Sequence, residues 1–108
     1  MANPFDIFSN TETKHKIAAL QGAEVTLKTL SIAENAEVEA IVYNKGFDDS
    51  GKPIISIEDI NKGKIARVSK ALVKPQMSIK ELEALSFTSM EAINEIIDIL
   101  TPKEDEGK

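Results

Sequence analysis

The chain has 108 residues, with 13 Lys and Arg against 18 Asp and Glu, a formal charge of −5 and no cysteine. This length fits one domain of about 100 residues, and the lack of cysteine excludes disulfides, thiol nucleophiles and thiolate metal sites. A single histidine excludes a multi-histidine metal site, and no apolar run is long enough to cross a bilayer. We therefore predict a small binding protein that is not an enzyme, uses no cofactor or metal, and binds neither membrane nor nucleic acid.

The first 13 residues, MANPFDIFSNTET, contain Pro4 and many turn-forming polar residues, which predicts a flexible arm. Three apolar residues of this arm are available for docking: Phe5, Ile7 and Phe8. The arm lacks the basic and apolar segments of a signal peptide, so we expect a cytoplasmic protein. Residues 14–101 are predicted to form one globular domain, and residues 102–108 a disordered charged tail.

A β-hairpin is predicted between Lys14 and Leu30. The second arm, EVTLKTL, alternates with a period of two, and Gln21-Gly22 separates it from the first arm, KHKIAAL. The first arm is rich in alanine, so a helix remains the alternative there.

Four helix starts are marked by capping motifs. In such a motif a hydroxyl accepts a hydrogen bond from the backbone amide three residues later, and the Glu side chain at that later position accepts one from the amide of the hydroxyl residue. These motifs are Ser31-Ile-Ala-Glu34, Ser78-Ile-Lys-Glu81, Thr88-Ser-Met-Glu91 and a weaker version, Ser56-Ile-Glu-Asp59. Together with the helix-ending glycine and proline residues that follow, these motifs predict helices over 32–44, 57–73, 79–85 and 89–100. The predicted fold class is mainly α with a short N-terminal β-hairpin, a small α+β domain of four helices.

The 57–73 helix is predicted to carry a basic arc, formed by Lys64, Arg67, Lys70 and Lys74. One interpretation is a docking face for an acidic partner, and the other is the solvated side of an amphipathic helix. No aromatic or amide side chains are interleaved with these charges, which argues against a nucleic-acid surface.

The 89–100 helix has an apolar arc that approaches half of its circumference, with Met90, Ile93, Ile96, Ile97, Ile99 and Leu100. Such an arc is wider than a one-sided surface helix needs. Either the helix is deeply buried, or part of the arc binds another chain. The candidate partner-binding residues on it are Met90, Ile93, Ile97 and Ile99.

Residues 46–52 match the pattern GxxxxGK of a phosphate-binding loop. The residue after it is Pro53, where a Mg²⁺-binding Ser or Thr is required, and Asp48 and Asp49 would repel phosphate. A calcium loop in the same place lacks two essential carboxylates. We therefore predict a turn-rich loop between two helices.

The segments EVTLKTLS, IAENAEVEAIVYNKG, IEDINKGKIARVSKALVKP and MSIKELEALSFTSMEAINEIIDIL, in this order, resemble the tail assembly chaperones of long-tailed bacteriophages and prophages. In that family a Leu–Ser/Thr–x–x–Glu step opens the first helix, matched here by Leu30, Ser31 and Glu34. A later helix ends in an aliphatic pair and a proline, matched by Leu72, Val73 and Pro75. The resemblance covers residues 24–100.

The resemblance implies a protein without catalysis that coats the apolar, helical tape-measure protein until tail-tube subunits polymerise around it. The tape-measure protein and the tail-tube subunits, which it would help to recruit, would be its partners in the host cytoplasm, and it would be absent from the mature virion. Self-association into a homo-oligomer is left open. The alternative is a structural virion component, such as a head–tail connector or tail-completion protein, and a third class is a small DNA-binding regulator.

Overall fold

The computed structural model describes residues 3–4 and 11–101. The predicted docking residues Phe5, Ile7 and Phe8 and the predicted tail 102–108 lie outside the described residues. In chain order the elements are β1 (Glu12–Ile17), a 3₁₀ turn (Ala18–Leu20), β2 (Ala23–Lys28), α1 (Ile32–Val42), α2 (Ile57–Ala71), β3 (Leu72–Lys74), α3 (Ile79–Glu83), a second 3₁₀ turn (Phe87–Ser89) and α4 (Met90–Leu100). The fold is thus α+β, and each helix begins and ends within two residues of its predicted bounds.

The predicted β-hairpin is confirmed, and the alanine-rich end of its first arm forms the 3₁₀ turn. β1 begins at Glu12, two residues before the predicted start of the hairpin, so the strand takes in the end of the predicted arm. Opposite charges face each other across the strands, because Glu12 pairs with Lys28 and Lys16 with Glu24. On the other face Ile17, Val25 and Leu27 are buried, whereas Thr13 is exposed and His15 half-buried.

A third strand corrects the prediction of a hairpin alone. The helix expected over 57–73 ends at Ala71, and the chain continues as β3, which pairs antiparallel with β2 through Leu72 and Leu27. The physical reason lies in the residues that follow Leu72. Val73 is β-branched and Lys74 precedes a proline, and both features favour extended backbone over helix. Lys74 therefore belongs to a strand and not to the basic arc of a helix.

The core is formed by one face of the sheet together with α2, α3 and α4. Its buried residues are Ile17, Val25, Leu27, Val68, Ala71, Leu72, Leu82, Ala92, Ile93 and Ile96. Helix α1 contributes none of them, and its one buried residue, Val38, lies on the side that faces α2. The domain therefore has a main core and, beside it, a helical hairpin of α1 and the first half of α2.

Three of the four capping motifs are confirmed. Ser31 and Ser78 form complete capping boxes at the starts of α1 and α3, and the Ser56 hydroxyl accepts from the Asp59 amide at the start of α2. The box predicted at Thr88 is wrong. Thr88 lies inside a 3₁₀ turn that runs into α4, so the helix has no extended residue from which a side chain can cap it.

The carboxylate of Glu95 fastens the β1–β2 turn to α4. Its two oxygens accept hydrogen bonds from the Ala18 amide at 2.8 Å and the Ala19 amide at 2.9 Å. These are the first amides of a 3₁₀ turn that has no side-chain cap from its own segment. One carboxylate thus supplies the acceptors that the turn lacks.

We expect Glu95→Ala to lower the free energy of unfolding by about 1–3 kcal/mol, because two amides lose an ionised acceptor. Glu95→Gln should cost roughly half as much, since it keeps one oxygen. Glu91→Ala, an exposed position on the same helix, is the control and should change stability by less than about 0.5 kcal/mol. Urea denaturation measures all three, and equal stability of the Glu95 and Glu91 variants would contradict the role of this carboxylate.

Gly63 allows the close approach of α1 and α2. A Cβ atom at this position would lie 2.4 Å from Cγ2 of Val42, well inside van der Waals contact. Val42 cannot turn away easily, because a β-branched side chain in a helix has one strongly preferred rotamer.

We expect Gly63→Ala to destabilise the domain by about 1–2 kcal/mol, although alanine is the better helix former. In a Val42→Ala background the clash is gone, so the same change should become stabilising by up to about 1 kcal/mol. Thermal denaturation of the four proteins in this cycle checks the change of sign. The same sign in both backgrounds would mean that the helices do not approach each other at this point.

Candidate functional site

The predicted basic residues bond largely within the domain. Three of them contact neighbouring helices: Lys64 bonds to Asn94 of α4 at 2.9 Å, Arg67 to Asn35 of α1 at 2.9 Å, and Lys70 pairs with Glu37 of α1. Lys74 is exposed on β3. These side chains join α2 to the helices beside it, and their binding of an acidic partner stays a prediction.

The predicted apolar residues of α4 divide between the core and its edge. Ile93 is buried in the core, while Met90 and Ile97 are partly buried against it. Ile99 is exposed. Most of the wide apolar arc is therefore explained by packing within the domain, and a partner-binding role for these residues stays a prediction.

Exposed apolar side chains are concentrated at the end of the helical hairpin, from Tyr43 to Ile60, a segment here called the distal tip. Its exposed side chains are Tyr43, Phe47, Ile54, Ile55, Ile57 and Ile60. Phe47 is 68% exposed and Ile57 78%. Monomeric soluble proteins rarely expose apolar groups in such number at one place, and such surfaces usually bind another molecule.

Sequence reasoning missed the distal tip because it tested residues 46–52 only as a phosphate or calcium loop. The isoleucines that follow at positions 54, 55, 57 and 60 were a usable signal. The first two precede the capping motif at Ser56 and therefore lie outside the helix. Isoleucines in a turn-rich connection have no helical face to bury.

The loop that carries Phe47 is held closed by Asp48. Its Oδ1 accepts from the Ser50 amide at 2.9 Å, the Ser50 hydroxyl at 2.7 Å and the Lys52 amide at 3.0 Å. Phe47 and Pro53 form a β-bridge, and Gly51 has a φ of +87°, which suits glycine. The aromatic ring is therefore carried by a loop with defined internal bonds.

Two ion pairs involve charged residues of the distal tip. Asp59 is 4% exposed, and its carboxylate accepts from Nζ of Lys45 at 3.0 Å. That hydrogen bond lowers the pKa of Asp59, although burial acts in the opposite direction. On the first turn of α2, Lys62 pairs with Glu58 at 3.2 Å. Residues 43–60 contain four acidic and two basic side chains, so the distal tip combines its apolar groups with a small net negative charge.

The exposed apolar surface continues from the distal tip along the outer side of α1. Ile32, Ala36, Ala40 and Tyr43 recur at spacings of four, four and three, which places them on one side of the helix. Ile32 is 91% exposed. Beside its first turns a groove of about 360 Å³ runs to Leu100 of α4. Helix α1 thus has apolar residues both towards α2 and towards solvent.

Neither a metal-binding cluster nor a membrane-crossing helix is found in the described residues. No group of three His, Cys, Asp or Glu side chains in residues 3–4 and 11–101 is placed to hold a metal ion. His15 contacts the Thr13 hydroxyl at 2.7 Å through Nε2. In the same residues no helix is long and apolar enough to cross a bilayer.

The loop at Asp48 should depend on pH. Hydrogen bonds from the Ser50 hydroxyl and the Lys52 amide hold the pKa of Asp48 below its ordinary value of 3.8. A lowered carboxyl pKa means that the loop is stabilised above pH 3.8 and loses this contribution as the pH falls through the lower folded value. NMR amide shifts of Ser50 and Lys52 should therefore titrate below pH 3.8.

A matched pair of variants separates Asp48 from its neighbour. Asp48→Ala should expose the Ser50 and Lys52 amides to faster hydrogen exchange, whereas Asp49→Ala should leave both unchanged. Equal exchange in the two variants would mean that Asp48 does not order the loop.

Comparison of the chain with protein-family models, with characterised proteins and with solved structures finds no significant match in any of the three. The distal tip and the outer side of α1 are therefore interpreted from their own geometry.

Proposed function

We propose that the chain is a non-enzymatic tail assembly chaperone of a long-tailed bacteriophage or prophage, which binds the tape-measure protein and keeps it soluble. The observation that carries the proposal is the exposed apolar surface of the distal tip and of the outer side of α1. This surface lies outside the main core, so a partner can cover it without any rearrangement of that core.

The composition of the surface suits a partner that must later be released. A shielding protein works through many modest contacts, whereas one dominant anchor would bind too tightly. The distal tip presents four isoleucines, Phe47 and Tyr43, and the chain has no tryptophan. Apolar contacts of this kind fit the apolar face of a long helix, which is the expected character of the tape-measure protein.

The resemblance to the chaperone family supports the same proposal. Its opening step is present as a complete capping box at Ser31, and the Glu34 carboxylate of that box also accepts from Nζ of Lys28 at 3.0 Å. The second matched motif, Leu72-Val73 before Pro75, lies on β3 and not at the end of a helix. In this proposal the chain acts in the host cytoplasm, gives way to tail-tube subunits and leaves before the virion is complete.

Co-expression with the tape-measure protein of the same genome tests the proposal. The wild-type chain should hold that protein in the soluble fraction and co-purify with it. The double variant Phe47→Ser and Ile57→Ser should reduce co-purification by about tenfold or more, because two apolar contacts are lost. Its own melting temperature should hardly change, since both side chains are exposed.

Phe87→Ser is the matched control, because Phe87 is a similarly exposed phenylalanine outside the distal tip. It should co-purify like the wild type. A tape-measure protein that is equally soluble without this chain would contradict the chaperone role. Detection of the chain in purified virions by mass spectrometry would favour the structural connector instead.

A further inference from the structure

The outer edge of β1 is open in the part of the chain that the structure describes. The strands lie in the order β1-β2-β3, so β1 pairs with β2 on one side only. Among the described residues, no backbone hydrogen bond from outside the hairpin reaches the other side of β1. An open edge presents unpaired amides and carbonyls, with which another strand can pair. β1 therefore offers a place for one more strand.

The backbone shows which residues of β1 face this edge. The Ile17 carbonyl accepts from the Gly22 amide at 3.0 Å, on the side of β2. Backbone groups alternate in direction along a strand, so the odd-numbered residues of β1 direct theirs towards β2. Glu12, Lys14 and Lys16 therefore direct their amides and carbonyls towards the open edge.

The side chains of these three residues carry charges that have no ion pair within the described chain. Glu12 and Lys16 lie opposite Lys28 and Glu24 of β2. None of the ion pairs among the described residues includes Glu12, Lys14 or Lys16, and all three are exposed. Lysines on an edge strand usually discourage further pairing. A suitable partner strand must therefore place acidic residues opposite them.

A second copy of β1 meets this requirement in one antiparallel register. Outward-facing residues must lie opposite outward-facing residues, which leaves two registers that pair all but one residue of each strand. In one register Glu12 lies opposite Lys16 of the second copy at both ends, and Lys14 lies opposite Lys14. In the other, Lys14 lies opposite Lys16 twice. Cross-strand pairs of opposite charge stabilise a sheet and like pairs destabilise it, so the first register is favoured.

The one like pair of this register has room to separate. Lys14 is exposed, and its side chain lies on the solvent face of the sheet together with Glu12 and Lys16. Two lysines opposite each other there can turn their ammonium groups apart into solvent, because the charge is carried on a long flexible stem.

An exposed apolar residue lies beside the same edge. A groove of about 190 Å³ between β1, β2 and the end of α4 is lined by Thr13, His15, Leu27 and Ile99, among others. Ile99 is 36% exposed. A strand added to β1 would therefore lie next to an apolar side chain that the domain itself leaves exposed.

We propose that the chain forms a two-fold symmetric dimer through antiparallel pairing of β1 with β1 of a second copy, which joins two three-stranded sheets into one. The axis passes through Lys14, and Glu12 pairs with Lys16 of the other copy on each side of it. Both copies use the same surface, as is usual in homodimers. This surface is separate from the distal tip, so the inference does not depend on the proposed binding of the tape-measure protein.

Sedimentation equilibrium of the purified chain tests the proposal, and the dimer fraction should rise with protein concentration. Lys14→Pro should weaken the dimer by about tenfold or more, because the central pair loses both of its hydrogen bonds. It removes no bond between β1 and β2, since this amide faces the open edge, where proline is tolerated. Lys14→Ala is the matched control: it keeps the amide and should dimerise at least as well as the wild type.

A second pair of variants tests the register. Glu12→Lys places a lysine opposite Lys28 within the chain and opposite Lys16 of the second copy. Glu24→Lys places one opposite Lys16 within the chain, but lies on β2, away from the open edge. We expect Glu12→Lys to weaken the dimer by about fivefold, as two exposed charge pairs allow, and Glu24→Lys to change it by less than about twofold.

Cysteine cross-linking tests the same contact without the proline variant, because the chain has no cysteine of its own. Lys14→Cys places two thiols opposite each other, with Cα atoms about 5.5 Å apart, which suits a disulfide. Lys16→Cys is the control, because its two thiols lie on opposite sides of the axis and beyond disulfide reach. In a glutathione buffer the first variant should form a covalent dimer and the second should stay largely monomeric, as read on a non-reducing gel.

Three outcomes would overturn the proposal. One is a wild-type chain that stays monomeric at the highest concentrations reached. Another is equal cross-linking of Lys14→Cys and Lys16→Cys, which would mean that the strands do not pair in this register. The third is loss of the dimer in the distal-tip variant Phe47→Ser with Ile57→Ser, which would assign the contact to the distal tip. The purified chain alone is used throughout, so these results are independent of the co-expression experiment.

Discussion

The domain depends on the bond between the Glu95 carboxylate and the β1–β2 turn. This contact spans more than 70 residues of sequence and brings the first elements of the chain against the last helix. Once the turn is fixed on α4, Ile17 is buried and the apolar face of the sheet closes the core over α2. Leu20, carried by the same turn, lines a small apolar pocket between this turn, α3 and α4. A polar contact at the edge of the domain thus determines how its apolar parts meet.

Helix α2 serves two packing regions. Its second half contributes Val68 and Ala71 to the main core, and its first half packs on α1, where Gly63 permits close contact. Because the main core does not include α1, the hairpin can carry exposed apolar groups without weakening that core. The first half of α2 therefore supports the hairpin that carries the exposed apolar residues, and the second half belongs to the main core.

Local signals in the sequence predicted most of the fold, because capping and alternation depend on near neighbours. Ser31, Ser56 and Ser78 each begin a helix as predicted. What failed also involved distant contacts: the extended backbone at Val73 and Lys74 forms a strand only by pairing with β2, and nothing near Glu95 in the sequence shows its bond to the β1–β2 turn. The candidate site was missed in part for a related reason: the isoleucines of this connection signal an apolar segment without a helical face, but not which of them the rest of the fold leaves exposed. Exposure is decided by where the rest of the chain packs.

The separation of α1 from the main core has a kinetic consequence. Elements that share few buried contacts open at lower free energy than the core around them. The hairpin of α1 and the start of α2 is held by Val38, Gly63 and the pair between Lys45 and Asp59, and further along α2 by the polar contacts Arg67–Asn35 and Lys70–Glu37. It can therefore unfold as a local unit while the sheet and α4 stay folded. Under the proposed function, local opening of this hairpin would release a partner held on it without unfolding the main core.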